Sequence, residues 1–239
     1  MAQQVIFYDI PSKAPAKGWS FNPWKVRMVL NMKGIDYKTE FVEYPDLAPT
    51  LKALGLPPND PNDPGYFSDY TSPAIRYSDG TFSMESWHIV HALDKQYPTP
   101  SLHLEDPIVE KVRNSSMLGP IVKHLMPKVP NLLSSVSSEY FYTTRESMFG
   151  KPLQQVEAEA TEEQWEDMKV NAKEIGDLLR EKGGPFFLGE TVSYADVCFV
   201  TCLKFLEILD DGVFKKYLAL DEAFPIVYEA SKRWLARDD

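Results

Sequence analysis

Over the first hundred residues the apolar positions change period several times. Residues 5–10 (VIFYDI) form a short apolar run that reads as a buried strand. Residues 23–34 repeat apolar side chains at helical spacing until Gly34 stops them. Residues 38–43 (KTEFVE) alternate between two faces, as a strand does. Asp46 is placed to cap a short helix through Leu54 that Gly55 ends, and a loop crowded with turn residues follows over 56–65. Residues 74–78 and 81–84 flank Asp79-Gly80, which predicts a hairpin closed by a type I′ turn. A helix over 85–97 completes the series, and Pro98 and Pro100 mark a linker.

Beyond the linker the alternation stops and helical spacing takes over. Asp106-Pro107 is a helix start, a capping carboxylate followed by proline at the first helical position. Gly119-Pro120, Pro127 and Pro130 should break the next stretch. Thr161 and Gln164 form a capping box, and Trp165, Met168, Ala172, Ile175 and Leu179 share one face of the helix it opens. Ser193 and Asp196 form a second box, with Val192 and Val197 as its hydrophobic staple, and Asp210-Asp211-Gly212 closes that helix. Mixed elements first and helices second predict two packed domains: residues 1–97, a linker over 98–105, and an all-helical part over 106–239.

Composition narrows the partners. Hydrophobic residues are 44% and charged residues 25% of the 239, which describes an ordinary globular chain. A formal net charge of −10 argues against nucleic acid or an anionic membrane as partner. No apolar run approaches a bilayer span and Met1-Ala2-Gln3-Gln4 carries no basic flank, so a cytoplasmic protein is expected. The two cysteines, Cys198 and Cys202, share a helix face and read as small core residues rather than a redox pair. His88 and His91 supply too few ligands for a metal, and no metal site is expected.

The chemistry concentrates in Trp19-Ser20-Phe21-Asn22-Pro23-Trp24-Lys25-Val26-Arg27. A hydroxyl just ahead of a helix stands beside free backbone N–H groups and the positive end of the helix dipole, a place to hold an anion. Were the anion a thiolate, Ser20 would donate the hydrogen bond that keeps it deprotonated. The same position equally suits a plain helix cap.

Four pieces in order carry a family resemblance: the Ser20–Arg27 stretch, Thr71-Ser72-Pro73-Ala74-Ile75, Glu85-Ser86-Trp87-His88-Ile89, and Phe187-Leu188-Gly189-Glu190-Thr191-Val192-Ser193-Tyr194-Ala195-Asp196. Together they resemble a cytosolic glutathione transferase over nearly the whole chain. Phe7-Tyr8-Asp9-Ile10-Pro11, the Phe21–Arg27 run and Thr144-Arg145-Glu146-Ser147-Met148-Phe149-Gly150 are similar to the fungal etherase-related, serine-bearing class. The resemblance implies a thioredoxin-like α/β N-terminal domain that binds glutathione and an all-α C-terminal domain with a hydrophobic substrate site. It implies a homodimer.

The resemblance also assigns roles. Ser20 becomes the thiolate-stabilising donor, with Tyr8 as the rival because other classes use a tyrosine near the end of the first strand. A serine cannot form a mixed disulfide, which directs the chemistry to attack on electrophilic carbon. Ser72-Pro73 becomes a cis bond whose serine pairs with the cysteinyl backbone of glutathione. Glu85 takes the γ-glutamyl ammonium and Ser86 its carboxylate. Asn22 adds a donor beside the thiol, and Lys52 takes the glycyl carboxylate unless it is simply a surface lysine. Trp19, Phe21, Met126, Phe141 and Tyr142 are the candidates for the aromatic substrate. The implied function is conjugation of hydrophobic aromatic electrophiles or β-aryl ether cleavage. The alternative is a non-catalytic carrier of aromatic or polyphenolic ligands.

Overall fold

The computed structural model describes residues 3–63 and 66–239. Pro64-Gly65, the end of the expected turn-rich loop, and Met1-Ala2 lie outside the described residues. Four strands, β1 (Val5–Asp9), β2 (Tyr37–Phe41), β3 (Ala74–Arg76) and β4 (Phe82–Met84), form one sheet in the order β2-β1-β3-β4. β1 runs parallel to β2 through the helix α1 (Phe21–Met32), while β3 and β4 are antiparallel to their neighbours. Helices α2 (Tyr44–Ala53) and α3 (Ser86–Gln96) complete the thioredoxin-like part. The rest of the described chain is helical: α4 (Pro107–Arg113), α5 (Val122–Leu125), a 3₁₀ segment (Met126–Leu132), α6 (Ser135–Phe149), α7 (Leu153–Ala158), α8 (Glu162–Arg180), α9 (Tyr194–Leu209), α10 (Asp211–Leu218) and α11 (Ala223–Leu235). No helix is long and apolar enough to cross a membrane among the described residues.

Several helix starts follow from the capping residues. Asp106 accepts the Ile108 N–H at 3.0 Å, and both capping boxes close, Thr161 with Gln164 and Ser193 with Asp196. Val197 is buried and Val192 packs against the same core, as the staple requires. Asp210 ends α9 and also starts α10, its carboxylate accepting the Val213 N–H at 2.9 Å.

Two local expectations are corrected. Asp46 does not cap α2; Glu43 precedes that helix, Tyr44 opens it, and Pro45 follows in the first turn, which suits proline's fixed φ. Asp46 lies inside the first turn instead. The hairpin is not closed by a two-residue type I′ turn. The Gly80 N–H bonds to the Tyr77 carbonyl at 3.0 Å, Tyr77 N–H bonds to the Thr81 carbonyl at 2.8 Å, and only Gly80 takes positive φ, +89°. That is a three-residue loop with glycine at the left-handed position. Asp79 stabilises it by accepting from both the N–H and the hydroxyl of Thr81.

One apolar core joins the sheet to the helical half. α1 packs against α9 and α11, and Trp24, Val26, Met28, Val29 and Leu30 on α1 are inaccessible to water. Side chains buried to that extent are worth about 1.5–3 kcal/mol each, so α1 is a rigid mount. A smaller cluster of Tyr8, Ile10, Leu47, Leu51, Leu56, Ala74 and Met84 lies under α2.

Candidate active site

The site forms where the chain leaves β1 and enters α1. Ser20 precedes the helix in extended conformation, φ −76° and ψ 136°, and its carbonyl accepts the Trp24 N–H at 3.1 Å. Its hydroxyl does not cap the helix and has no hydrogen-bond partner among the described residues. The bland role is therefore not taken, and a half-buried hydroxyl is left free at the positive end of α1.

The lead-in to Ser20 is pinned from beneath. Arg27 Nη2 lies 2.8 Å from Asp9 Oδ2, and neither side chain reaches solvent. The other Asp9 oxygen accepts the Ile10 N–H at 2.7 Å, and Arg27 Nη1 donates to Thr39 Oγ1 at 3.1 Å. Gly18 pairs with Pro11, and its carbonyl accepts from the Trp24 indole at 3.3 Å. A Cβ on Gly18 would stand 2.6 Å from Asp9 Oδ2, so only glycine allows this approach. Asn22 turns toward its own helix, its carboxamide oxygen accepting from Lys25 Nζ at 3.0 Å.

A second group gathers at the same end of β1. The Ser72-Pro73 bond is cis, and Ser72 Oγ donates to the Tyr8 carbonyl at 3.4 Å. The N–H and C=O of Ser72 take no part in the backbone hydrogen bonds among the described residues. Glu85 heads α3 with φ +66°, a left-handed conformation that costs a non-glycine residue about 1–3 kcal/mol. Its carboxylate is held by Thr71, whose hydroxyl donates to Oε1, and by Asn59 Nδ2 at 3.4 Å. Asn59 Nδ2 also reaches Thr71 Oγ1 at 3.1 Å and the Ser68 carbonyl at 2.9 Å, and the Asn59 N–H bonds to the Asp69 carbonyl at 2.8 Å. Ser86 follows, buried in the first turn. Lys52 is exposed in the last turn of α2 and bonds to none of these residues.

The aromatic candidates divide. Trp19 is buried and its ring centroid lies 6.3 Å from Tyr44, 6.3 Å from Phe141 and 6.0 Å from Phe205. Its indole N–H has no partner. Phe21 meets Phe205 at 6.0 Å, so Trp19, Phe21 and Phe141 belong to one wall. Phe141 is 1% exposed and supports that wall from inside. Tyr142, one residue on and therefore on another helix face, is exposed outside the cluster, and Met126 packs against the main core. Tyr44 and Phe205 complete the wall without having been singled out. Tyr44 stacks on Tyr140 at 5.6 Å, and desolvation pushes its hydroxyl up to about 12 with Arg145 opposing.

Tyr8 and the two cysteines lie in apolar surroundings. The Tyr8 ring sits in the smaller apolar cluster, and desolvation raises its hydroxyl above the ordinary tyrosine value, against the opposing charge of Arg76. Cys198 and Cys202 are buried and free, and desolvation raises both thiols, Cys202 to about 12. Among the described residues no cluster of histidine, cysteine and carboxylates has the makings of a metal site.

Residues 19–96 match the model of the glutathione S-transferase N-terminal domain, and residues 107–221 match that of the C-terminal domain. The chain is 34% identical to the glutathione S-transferase-like protein ustS of Aspergillus flavus, over 96% of this chain and 90% of that protein. Glutathione transferase GSTFuA2 of Phanerochaete chrysosporium superposes over 100% of both chains with a TM-score of 0.87 and 29% identity. A glutathione S-transferase of Ceriporiopsis subvermispora, solved in complex with glutathione, covers 93% of this chain and 98% of its own, with a TM-score of 0.75 and 32% identity.

Proposed function

This chain belongs to the glutathione S-transferase family, and from that premise we propose that it is a serine-type transferase that activates glutathione for attack on aromatic electrophiles. In this reading residues 1–97 hold glutathione, 98–105 connect, and 106–239 supply the apolar side. The observation that carries it is the Ser20 hydroxyl, free of any bond to the helix it precedes.

A free thiol titrates near about 8.5, so lowering it by about two units takes roughly 2.7 kcal/mol of preference for the anion. One charge-assisted hydrogen bond from Ser20, added to the field of the α1 N-terminus, is of that size. The thiol proton leaves to solvent. The sulfur forms a bond to the electrophilic carbon, and the leaving group, a halide or an aryl oxide, departs with the electron pair of the broken bond.

Glutathione itself is held by complementary chemistry. The free N–H and C=O of Ser72 pair with the cysteinyl backbone like an added strand. Glu85 accepts from the γ-glutamyl ammonium, and Ser86 with the first N–H groups of α3 receives the adjacent carboxylate. The Asn59–Thr71 bonds fix the Glu85 carboxylate in advance, so binding does not have to order it. Lys52, exposed and unpaired, remains the candidate for the glycyl carboxylate. Phe21, half-buried at the same helix start and backed by the buried rings of Trp19 and Phe205, is the part of the wall that offers a planar substrate its apolar surface.

The test is turnover by wild type and Ser20→Ala with a β-aryl ether and with a simple aryl halide. Loss of both activities with little change in glutathione affinity supports the reading, and the ratio of the two substrates separates ether cleavage from conjugation. Survival of both activities, with loss in Tyr8→Phe instead, overturns it.

A further inference from the structure

We propose that Arg145 selects, as the second substrate, an aromatic electrophile that carries a carboxylate. The inference rests on the transferase reading above. Arg145 lies on α6 with its guanidinium carbon 4.3 Å from the centre of the Phe141 ring and 5.5 Å from that of Phe67. Phe141 belongs to the wall that Trp19 continues to Ser20. Phe67 belongs to the loop whose Asn59 holds Glu85. The cation therefore stands between the aromatic wall and the loop that positions the glutathione-binding carboxylate.

Its charge has no counterpart in the protein. Arg27, Arg180 and Arg237 each pair with an aspartate, whereas Arg145, like Arg76, Arg113 and Arg233, has no carboxylate partner among the described residues. The Phe141 and Phe67 rings flank the half-buried guanidinium, which leaves the N–H groups along its edge as the binding surface. Nη1 donates to Thr144 Oγ1 at 3.0 Å, the Tyr44 hydroxyl also lies against the guanidinium, and the donors left over suit the two oxygens of a carboxylate. Beside them the Tyr44–Tyr140 stack, 19° from parallel, offers a flat ring its surface. A chain of formal charge −10 repels acids in general, so one unpaired cation at this position changes selectivity locally.

A carboxylate at Arg145 has two possible sources, the aromatic substrate or glutathione. The packing of Arg145 on the Phe141 ring of the aromatic wall favours the substrate. The experiment compares a chloro-dinitrobenzoate with its methyl ester as substrates for wild type, Arg145→Gln and Arg145→Lys. In each reaction the sulfur–carbon bond forms, the carbon–chlorine bond breaks, chloride takes the electron pair and the thiol proton goes to solvent. The ratio of kcat/KM for acid over ester should fall about ten-fold in Arg145→Gln, with partial recovery in Arg145→Lys. An equal fall for acid and ester, or a rise in KM for glutathione at an unchanged ratio, overturns the proposal. A calorimetric titration of wild type and Arg145→Gln with the acid and the ester of the unchlorinated dinitrobenzoate reads the same selectivity without turnover. Wild type that binds the acid selectively but turns over neither substrate defeats the transferase reading and leaves the Arg145 assignment standing. Equal binding of acid and ester by wild type defeats the assignment alone.

Discussion

Asp9 and Arg27 meet 2.8 Å apart with both side chains wholly shielded from solvent, directly beneath the segment that delivers Ser20. Burial pushes the Asp9 carboxyl up, against the pull of Arg27 and the Ile10 N–H. Removing one partner strands the other. Arg27→Met should cost about 3–5 kcal/mol in urea unfolding. Adding Asp9→Asn to that variant should recover part of the loss, because the stranded charge is removed with it. A further loss of similar size would show that the pair is not the coupled unit described.

The clasp on Glu85 gives a prediction about affinity. Thr71→Val and Asn59→Ala each remove a donor to the carboxylate that is proposed to take the glutathione ammonium. Each should raise KM for glutathione about ten-fold, with kcat changed less than KM. Lower stability with unchanged KM would reduce the clasp to a loop anchor.

Asp196 sets a pH dependence of stability. Its buried carboxyl accepts from the N–H groups of Phe187 and Ser193, yet desolvation outweighs these bonds and raises it to about 6. The folded state therefore binds the proton more tightly than the unfolded chain does. The stabilisation is full below the unfolded value near about 3.9 and is lost as pH rises through about 6. Between about pH 4.5 and pH 7.5 the stability of wild type relative to Asp196→Asn should fall by roughly 2 kcal/mol. A pH-independent difference in urea unfolding would contradict this.

Cys198 and Cys202 should be silent in the native protein. Both are buried with raised thiol pKa values, so iodoacetamide should label neither until the chain is unfolded. Rapid labelling of the folded protein, or loss of turnover in the Cys198→Ala/Cys202→Ala double variant at intact stability, would contradict their role as core residues.

Much of this was legible from the chain, and the exceptions have physical reasons. Capping boxes and Asp106-Pro107 work through bonds within three residues, so those helices start where their sequences say. α7 carries no such capping bond, and its position follows from the packing of Leu153 and Val156. The Ser20 hydroxyl, a cap by sequence rules, makes no capping bond because the ordering of its segment comes from Asp9, Gly18 and Arg27 instead. Tyr44, Asn59 and Phe205 lie far along the chain from the residues they join. Nothing within their own segments marks them, and only the fold brings them to the site.

We propose that Ser20 holds the glutathione thiolate. The most direct measurement is the thiolate absorbance of bound glutathione, titrated against pH in wild type, Ser20→Ala and Tyr8→Phe. The expected thiol pKa is about 6.5 in wild type and Tyr8→Phe, returning toward about 8.5 in Ser20→Ala. A low value that survives in Ser20→Ala and is lost in Tyr8→Phe would contradict it.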